Sequence, residues 1–204
     1  VTWHNHIIDK DYTIDPNWMK RVKTVVDWAY SKGLYVILNI HHDDAKYSEE
    51  NIIYGTGFYL LKKDRVESEK FIYNIWRQIS IAFNNGYGER LIFESLNEPR
   101  LVGLEREWWC PPDDKSCIEA NDVLMEYNKL ALKTVRLSGG NNLVRFMMFP
   151  TMAASYDNLA KFNFKLPEDK EFNVNNDRIL LSLHMYLPYN FALNEDKTYN
   201  VFTE

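Results

Sequence analysis

The sequence predicts an α/β protein built on a parallel sheet, and within that class an incomplete (β/α)8 TIM barrel with about five of its eight strands present. Three observations predict it. Apolar, β-branched runs alternate with amphipathic segments along the chain, the order that right-handed βαβ units require. No glycine-rich phosphate loop follows any of those runs, so a doubly wound nucleotide-binding sheet has no support. Polar side chains gather instead at the ends of the runs, where a barrel builds its active site.

The elements follow in order. VTWHNH, Val1 to His6, reads as the end of a strand. Asp15 to Gly33 reads as a helix: Asp15 caps the amino end, Pro16 fits the first turn, and Gly33 supplies the left-handed stop. Trp18, Val22, Val25, Val26 and Ala29 recur at helical spacing and predict its buried face. YVILNI, Tyr35 to Ile40, reads as a strand buried on both sides, followed by polar HHDD. Glu67 to Phe83 is the second helix, with Phe71, Ile72, Ile75, Trp76, Ile79 and Phe83 on one face; NNGYG stops it, and LIFESL is the next strand. Glu119 to Leu137 is the third helix, ended by Ser138-Gly139-Gly140, and RFMMFP, Arg145 to Pro150, the strand after it. A less regular stretch leads to ILLSLHMY, Ile179 to Tyr186, the last strand.

A chain of 204 residues is long enough for one sizeable core. It begins at Val1 in what reads as a strand end and stops at Glu204 without a closing signal. Residues 1–204 are therefore expected to be part of a single barrel, truncated at both ends. A net charge of −5 with no basic stripe argues against a nucleic-acid partner, and no apolar run approaches the roughly 18 residues of a membrane-spanning helix. Aromatics make up 15% of the residues; most belong to a core, but sugar-binding clefts also use aromatic faces. Cys110 and Cys117, seven residues apart in WWCPPDDKSC, suit a small disulfide-closed loop better than a zinc site.

LIFESLNEPR places Glu98 just past an apolar strand, between Asn97 and Pro99. A carboxyl that loses hydration at a barrel mouth keeps its proton more readily, and such a group can protonate a departing glycosidic oxygen. His41 and His42 follow another strand. HHDD has metal-binding residue types, but neighbours on a strand point to opposite sides, and the strand that leads into it carries no His-x-His. No metal and no cofactor are therefore expected, and His41 is assigned to the cleft. His184 and Tyr186, two apart, share a strand face and are assigned to the mouth. Trp3 and His6 are candidates for a sugar platform and a hydroxyl contact, and Trp108 and Trp109 for the groove wall. Without a GxSxG elbow, an esterase has little support.

These segments together resemble glycoside hydrolase family 5. LIFESLNEPR is similar to the family's strand ending in Asn-Glu-Pro, and VTWHNHI, LNIHHD and LSLHMY resemble the corresponding strand ends of its endoglucanases, in the same order. The resemblance implies a secreted, extracellular cellulase acting on β-1,4-glucan without a cofactor, a retaining endo-β-1,4-glucanase in which Glu98 is the acid/base. It also implies that Asn97 binds the sugar 2-hydroxyl, that His41 and His184 hydrogen-bond in the cleft, that Tyr186 positions the nucleophile, and that His42 and Trp3 are lesser substrate contacts. Carbohydrate-binding or docking modules are possible neighbours outside the chain. The family's arginine-bearing strand would precede Val1, and its nucleophilic glutamate and last-strand tryptophan would follow Glu204. Glu195 and Glu204 sit in a polar segment without strand character and are not assigned that role. The isolated chain is accordingly expected to have little activity. The alternatives are a glucan-binding module without catalysis and, ranked last, a metal-dependent barrel hydrolase.

Overall fold

The first helix forms where its caps predict. In α1 (Pro16–Ser31) the Asp15 carboxylate accepts from the Asn17 N–H at 2.8 Å, and Gly33 takes a positive φ of 80° just past the end. The second, α2 (Arg65–Ala82), buries Phe71, Ile72, Ile75, Trp76 and Ile79 completely, as its periodicity requires. The third, α3 (Lys115–Leu137), starts four residues earlier than expected, because Asp114 caps it by accepting from the Ser116 and Cys117 N–H groups. Cys117, in its first turn, is disulfide-bonded to Cys110 with the Cα atoms 5.7 Å apart.

The computed structural model describes residues 1–172 and 176–195. Among them a single sheet joins β1 (Val36–Asn39), β2 (Leu91–Glu94), β3 (Met147–Ser155) and β4 (Ile179–His184) in that order, parallel throughout. Strands in sequential order with right-handed crossovers put their helices on one face, as in a barrel wall and unlike a doubly wound sheet. Phe93 of β2 meets Trp76 of α2 at 5.2 Å on that face. Asn39, Glu94 and Ser182 therefore lie on the opposite, inward face by alternation.

Four strands are described, against about five expected, and the difference lies in VTWHNH. Asp43 Oδ1 accepts from the backbone N–H groups of Trp3 and His4, each at 2.8 Å, and His4–His6 form a 3₁₀ turn instead of a strand. Only the Val1 carbonyl still pairs beside β1, accepting from the His41 N–H at 3.0 Å. The expected two-sided burial of Tyr35–Ile40 is not seen among the described residues: Tyr35 is 71% and Ile37 53% exposed on the face that Asn39 shares, with β1 at the edge of the described sheet. Val25, predicted on the buried face of α1, is likewise exposed next to that edge.

Two further differences shape the mouth. β3 runs on to Ser155 through a register shift between Pro150 and Ser155, with Ala153 and Ala154 both at positive φ. It leads into α4 (Tyr156–Lys161), which the sequence reading left as irregular. β4 ends at His184, so Tyr186 lies two residues past the strand, on the way to the short α5 (Tyr189–Ala192).

Candidate active site

Glu98 sits beyond the carboxyl end of β2, on backbone that is held from several directions. The Trp76 indole N–H donates to the Ser95 carbonyl at 3.0 Å, and the Ser95 hydroxyl donates to Asn128 Oδ1 at 2.7 Å. The Ala153 N–H donates to the Pro99 carbonyl at 2.8 Å, which ties the NEP segment to β3. Arg100 Nη1 donates to the Glu98 carbonyl at 3.1 Å. Its Nε reaches Glu107 at 2.9 Å, and its guanidinium stacks on Trp108 at 4.3 Å.

The side chain of Glu98 is 12% exposed, and its Oε1 lies 2.7 Å from His184 Nδ1, which arrives from the end of β4. The two side chains form a hydrogen-bonded pair at the strand-end face. The pair opens into a groove of about 470 Å³ whose walls include Trp108, Trp109, Tyr186 and Tyr189. Thus Glu98, His184 and Tyr186 come together with both loop tryptophans. One face of Trp108 carries Arg100, and one face of Trp109 carries the Lys161 ammonium, 3.9 Å from the ring centre.

The other candidates are arranged differently. Asn97, next to Glu98, is 6% exposed, and its side-chain amide has no hydrogen-bond partner among the described residues. His41 is half-buried, with Nδ1 3.0 Å from Asn39 Nδ2 and its ring set edge-on to the exposed His42. Burial lowers the His41 pKa, the positive charges of the Val1 amine and His42 lower it further, and Glu98 pulls the other way. Trp3 is completely buried and donates its indole N–H to the Asn39 carbonyl at 3.0 Å, so it offers no face to a ligand. The reason is the same Asp43 contact that turns VTWHNH out of a strand. His6 stacks on Trp18 of α1 at 3.7 Å, away from the mouth. Glu195 is exposed, and Glu204 lies outside the described residues.

The four side chains of HHDD go to separate partners: His41 to Asn39, His42 to solvent, Asp43 to His4 at 2.7 Å, and Asp44 to Arg100. Asp44 Oδ1 accepts from the Arg100 N–H at 3.1 Å, and its Oδ2 lies 3.8 Å from the guanidinium. Burial pushes its carboxyl up to about 7, with Arg100 pulling it down. Sequence reasoning missed Arg100 and Asp44 as a pair. It also passed over Glu94, although a carboxylate inside the apolar run LIFESL is itself a signal.

The chain matches the family described as Cellulase (glycosyl hydrolase family 5) over residues 1–203. It is 41% identical to "Endoglucanase B" of Ruminococcus albus across 93% of its own length and 40% of the relative's. It is 40% identical to "Endoglucanase B" of Neocallimastix patriciarum, across 93% of this chain and 35% of that one. The chain thus spans about two-fifths of the length of the curated relatives it matches. Among solved structures, a mutant glycoside hydrolase 5 lichenase from Caldicellulosiruptor sp. F32 in complex with cellotetraose superposes with a TM-score of 0.83 at 38% identity, over 95% of this chain and 48% of that one. A broad-specificity endoglucanase from Ruminococcus champanellensis with bound cellotriose gives 0.81 at 36% identity, over 100% of this chain and 53% of that one. The parallel sheet with its outer helices is accordingly part of a (β/α)8 barrel. A match along nearly the whole chain, with the Asn-Glu-Pro carboxylate at the strand-end face, makes this chain a member of the cellulase family, glycosyl hydrolase family 5.

Proposed function

We propose that this chain supplies the acid/base half of a retaining endo-β-1,4-glucanase, with Glu98 as the proton donor and acceptor. One observation carries the reading: a carboxyl 12% exposed, 2.7 Å from His184, opens into an aromatic groove at the carboxyl ends of parallel strands. In the first step Glu98 protonates the departing glycosidic oxygen. In the second it takes a proton from the water that releases the sugar. His184 holds the carboxyl in place through both charge states when Nδ1–H donates to Oε1, which leaves the other carboxyl oxygen to carry the proton that is transferred. Asn97, whose amide has no partner among the described residues, suits the sugar 2-hydroxyl, and Tyr186, Trp108 and Trp109 suit the rims of a chain-binding groove. His41 and His42 are further hydroxyl contacts.

Retention needs a second carboxyl about 5–5.5 Å from the first, and we assign that nucleophile to a part of the barrel beyond residue 204. Relatives solved with cellotetraose and cellotriose support a β-glucan oligosaccharide as the ligand. The cysteine bridge and the cellulase family support secretion. No helix among the described residues is long and apolar enough to cross a membrane.

The test is Glu98→Gln in a polypeptide that joins this chain to the rest of the barrel. Hydrolysis of a soluble β-1,4-glucan should fall by about 10²–10⁴, with cellotriose binding kept. Activity within ten-fold of the parent would refute the assignment, and binding without hydrolysis in the parent itself would favour a glucan-binding module.

A further inference from the structure

Glu94 ends β2 on its inward face, is 5% exposed, and has no part in the steps above. Its Oε1 accepts from the Ser182 hydroxyl of β4 at 2.5 Å, and its Oε2 accepts from Asn39 Nδ2 of β1 at 2.8 Å. One carboxyl thus links three strands under the mouth. Asn39 is anchored on its other side too: its Oδ1 accepts from the Val1 nitrogen at 2.9 Å. A flipped amide would put oxygen against the Glu94 carboxyl and NH2 against a donor, so these two contacts settle its orientation.

The same NH2 group lies 3.0 Å from His41 Nδ1. An amide NH2 only donates, so Nδ1 must accept, and a neutral imidazole then carries its proton on Nε2. Nε2 has no protein partner among the described residues. The lowering of the His41 pKa by burial favours the neutral ring.

We propose that Glu94 is a positioning residue: acting through Asn39, it holds His41 as the Nε2–H tautomer, a fixed hydrogen-bond donor at the strand-end face for a sugar hydroxyl oxygen. The identity of that acceptor rests on the glucanase reading; the tautomer does not.

Nitrogen-15 NMR of histidine-labelled chain, recorded above the pH at which His41 titrates, reads the tautomer directly. The expected spectrum shows His41 protonated on Nε2 and bare on Nδ1; the reverse overturns the proposal. Glu94→Gln should preserve it, because the new oxygen accepts from Asn39 and the new NH2 donates to Ser182. Glu94→Met removes the acceptor and should bring in the Nδ1–H form, whereas an unchanged His41 in that variant, folded by circular dichroism, overturns the role of Glu94. If Glu94→Met does not fold, Asn39→Ala decides: a purely Nε2–H His41 without the amide refutes the relay. In a completed barrel, Glu94→Met should lose roughly ten-fold in kcat/KM while Glu94→Gln stays close to the parent. A barrel without glucanase activity would sink the functional reading and leave the tautomer result standing.

Discussion

Replacing Arg100 by alanine removes the group that joins Glu98 to the loops on both sides of it. The guanidinium makes a charge-assisted hydrogen bond to Glu107 at 2.9 Å, a bond to the Glu98 carbonyl at 3.1 Å, and a stacking contact with Trp108 at 4.3 Å. Each of the two hydrogen bonds has a charged donor and contributes about 1.5–3 kcal/mol, and an exposed cation–π contact contributes about 0.5–1 kcal/mol. Relief of the side-chain entropy of an ordered arginine offsets part of this. The expected loss is about 2–4 kcal/mol. It should also depend on pH, through Asp44, whose oxygen lies 3.8 Å from the guanidinium and whose carboxyl is pushed up to about 7. At pH 5 Asp44 is protonated in the folded protein and gains little from Arg100. At pH 8 it is ionised, and alanine leaves a buried charge without its counter-ion. The loss should therefore be larger at pH 8 than at pH 5, by about 1 kcal/mol. Urea unfolding followed by tryptophan fluorescence at the two pH values measures both quantities, provided the slope m is unchanged. A loss below about 1 kcal/mol at pH 8, or a larger loss at pH 5, would refute the account of how this loop is held.

Two other outcomes are expected. Because the folded pKa of Asp44 is raised, its contribution to stability is fully present below its unfolded value of about 3.9 and is lost as pH rises through about 7. Asp44→Asn, which keeps an oxygen for the Arg100 N–H, should flatten the stability profile between those limits, and an unaltered profile from denaturation at several pH values would count against a buried Asp44. Replacing Cys110 and Cys117 together by alanine should lower stability by about 2–3 kcal/mol, from the loop entropy of a seven-residue separation, read as a drop in Tm; no change would mean that the bridge does not form.

The sequence by itself determined the elements whose causes are local. Asp15 and Pro16 start α1 and Gly33 follows its end, each acting within a turn of its own terminus, and the three- and four-residue spacing of Phe71 to Ile79 turns one face of α2 inward. The alternation of apolar runs with helices, together with Glu98 in its Asn-Glu-Pro setting, was enough to anticipate parallel strands and a strand-end carboxyl. What the tertiary structure alone decided depends on residues far apart in the chain. Asp43 draws the Trp3 and His4 backbone out of a strand from 40 and 39 residues away, and so buries a tryptophan that residue type alone suggested for the cleft. Tyr186 reaches the groove although its strand stops at His184. His184 meets Glu98 across 86 residues, and the Glu94–Asn39–His41 relay depends on three strands converging on one inward face. Caps and periodicity act over one or two helical turns and can be read along the chain, whereas side-chain partners and tautomers are set by neighbours that only the folded sheet brings within hydrogen-bond distance.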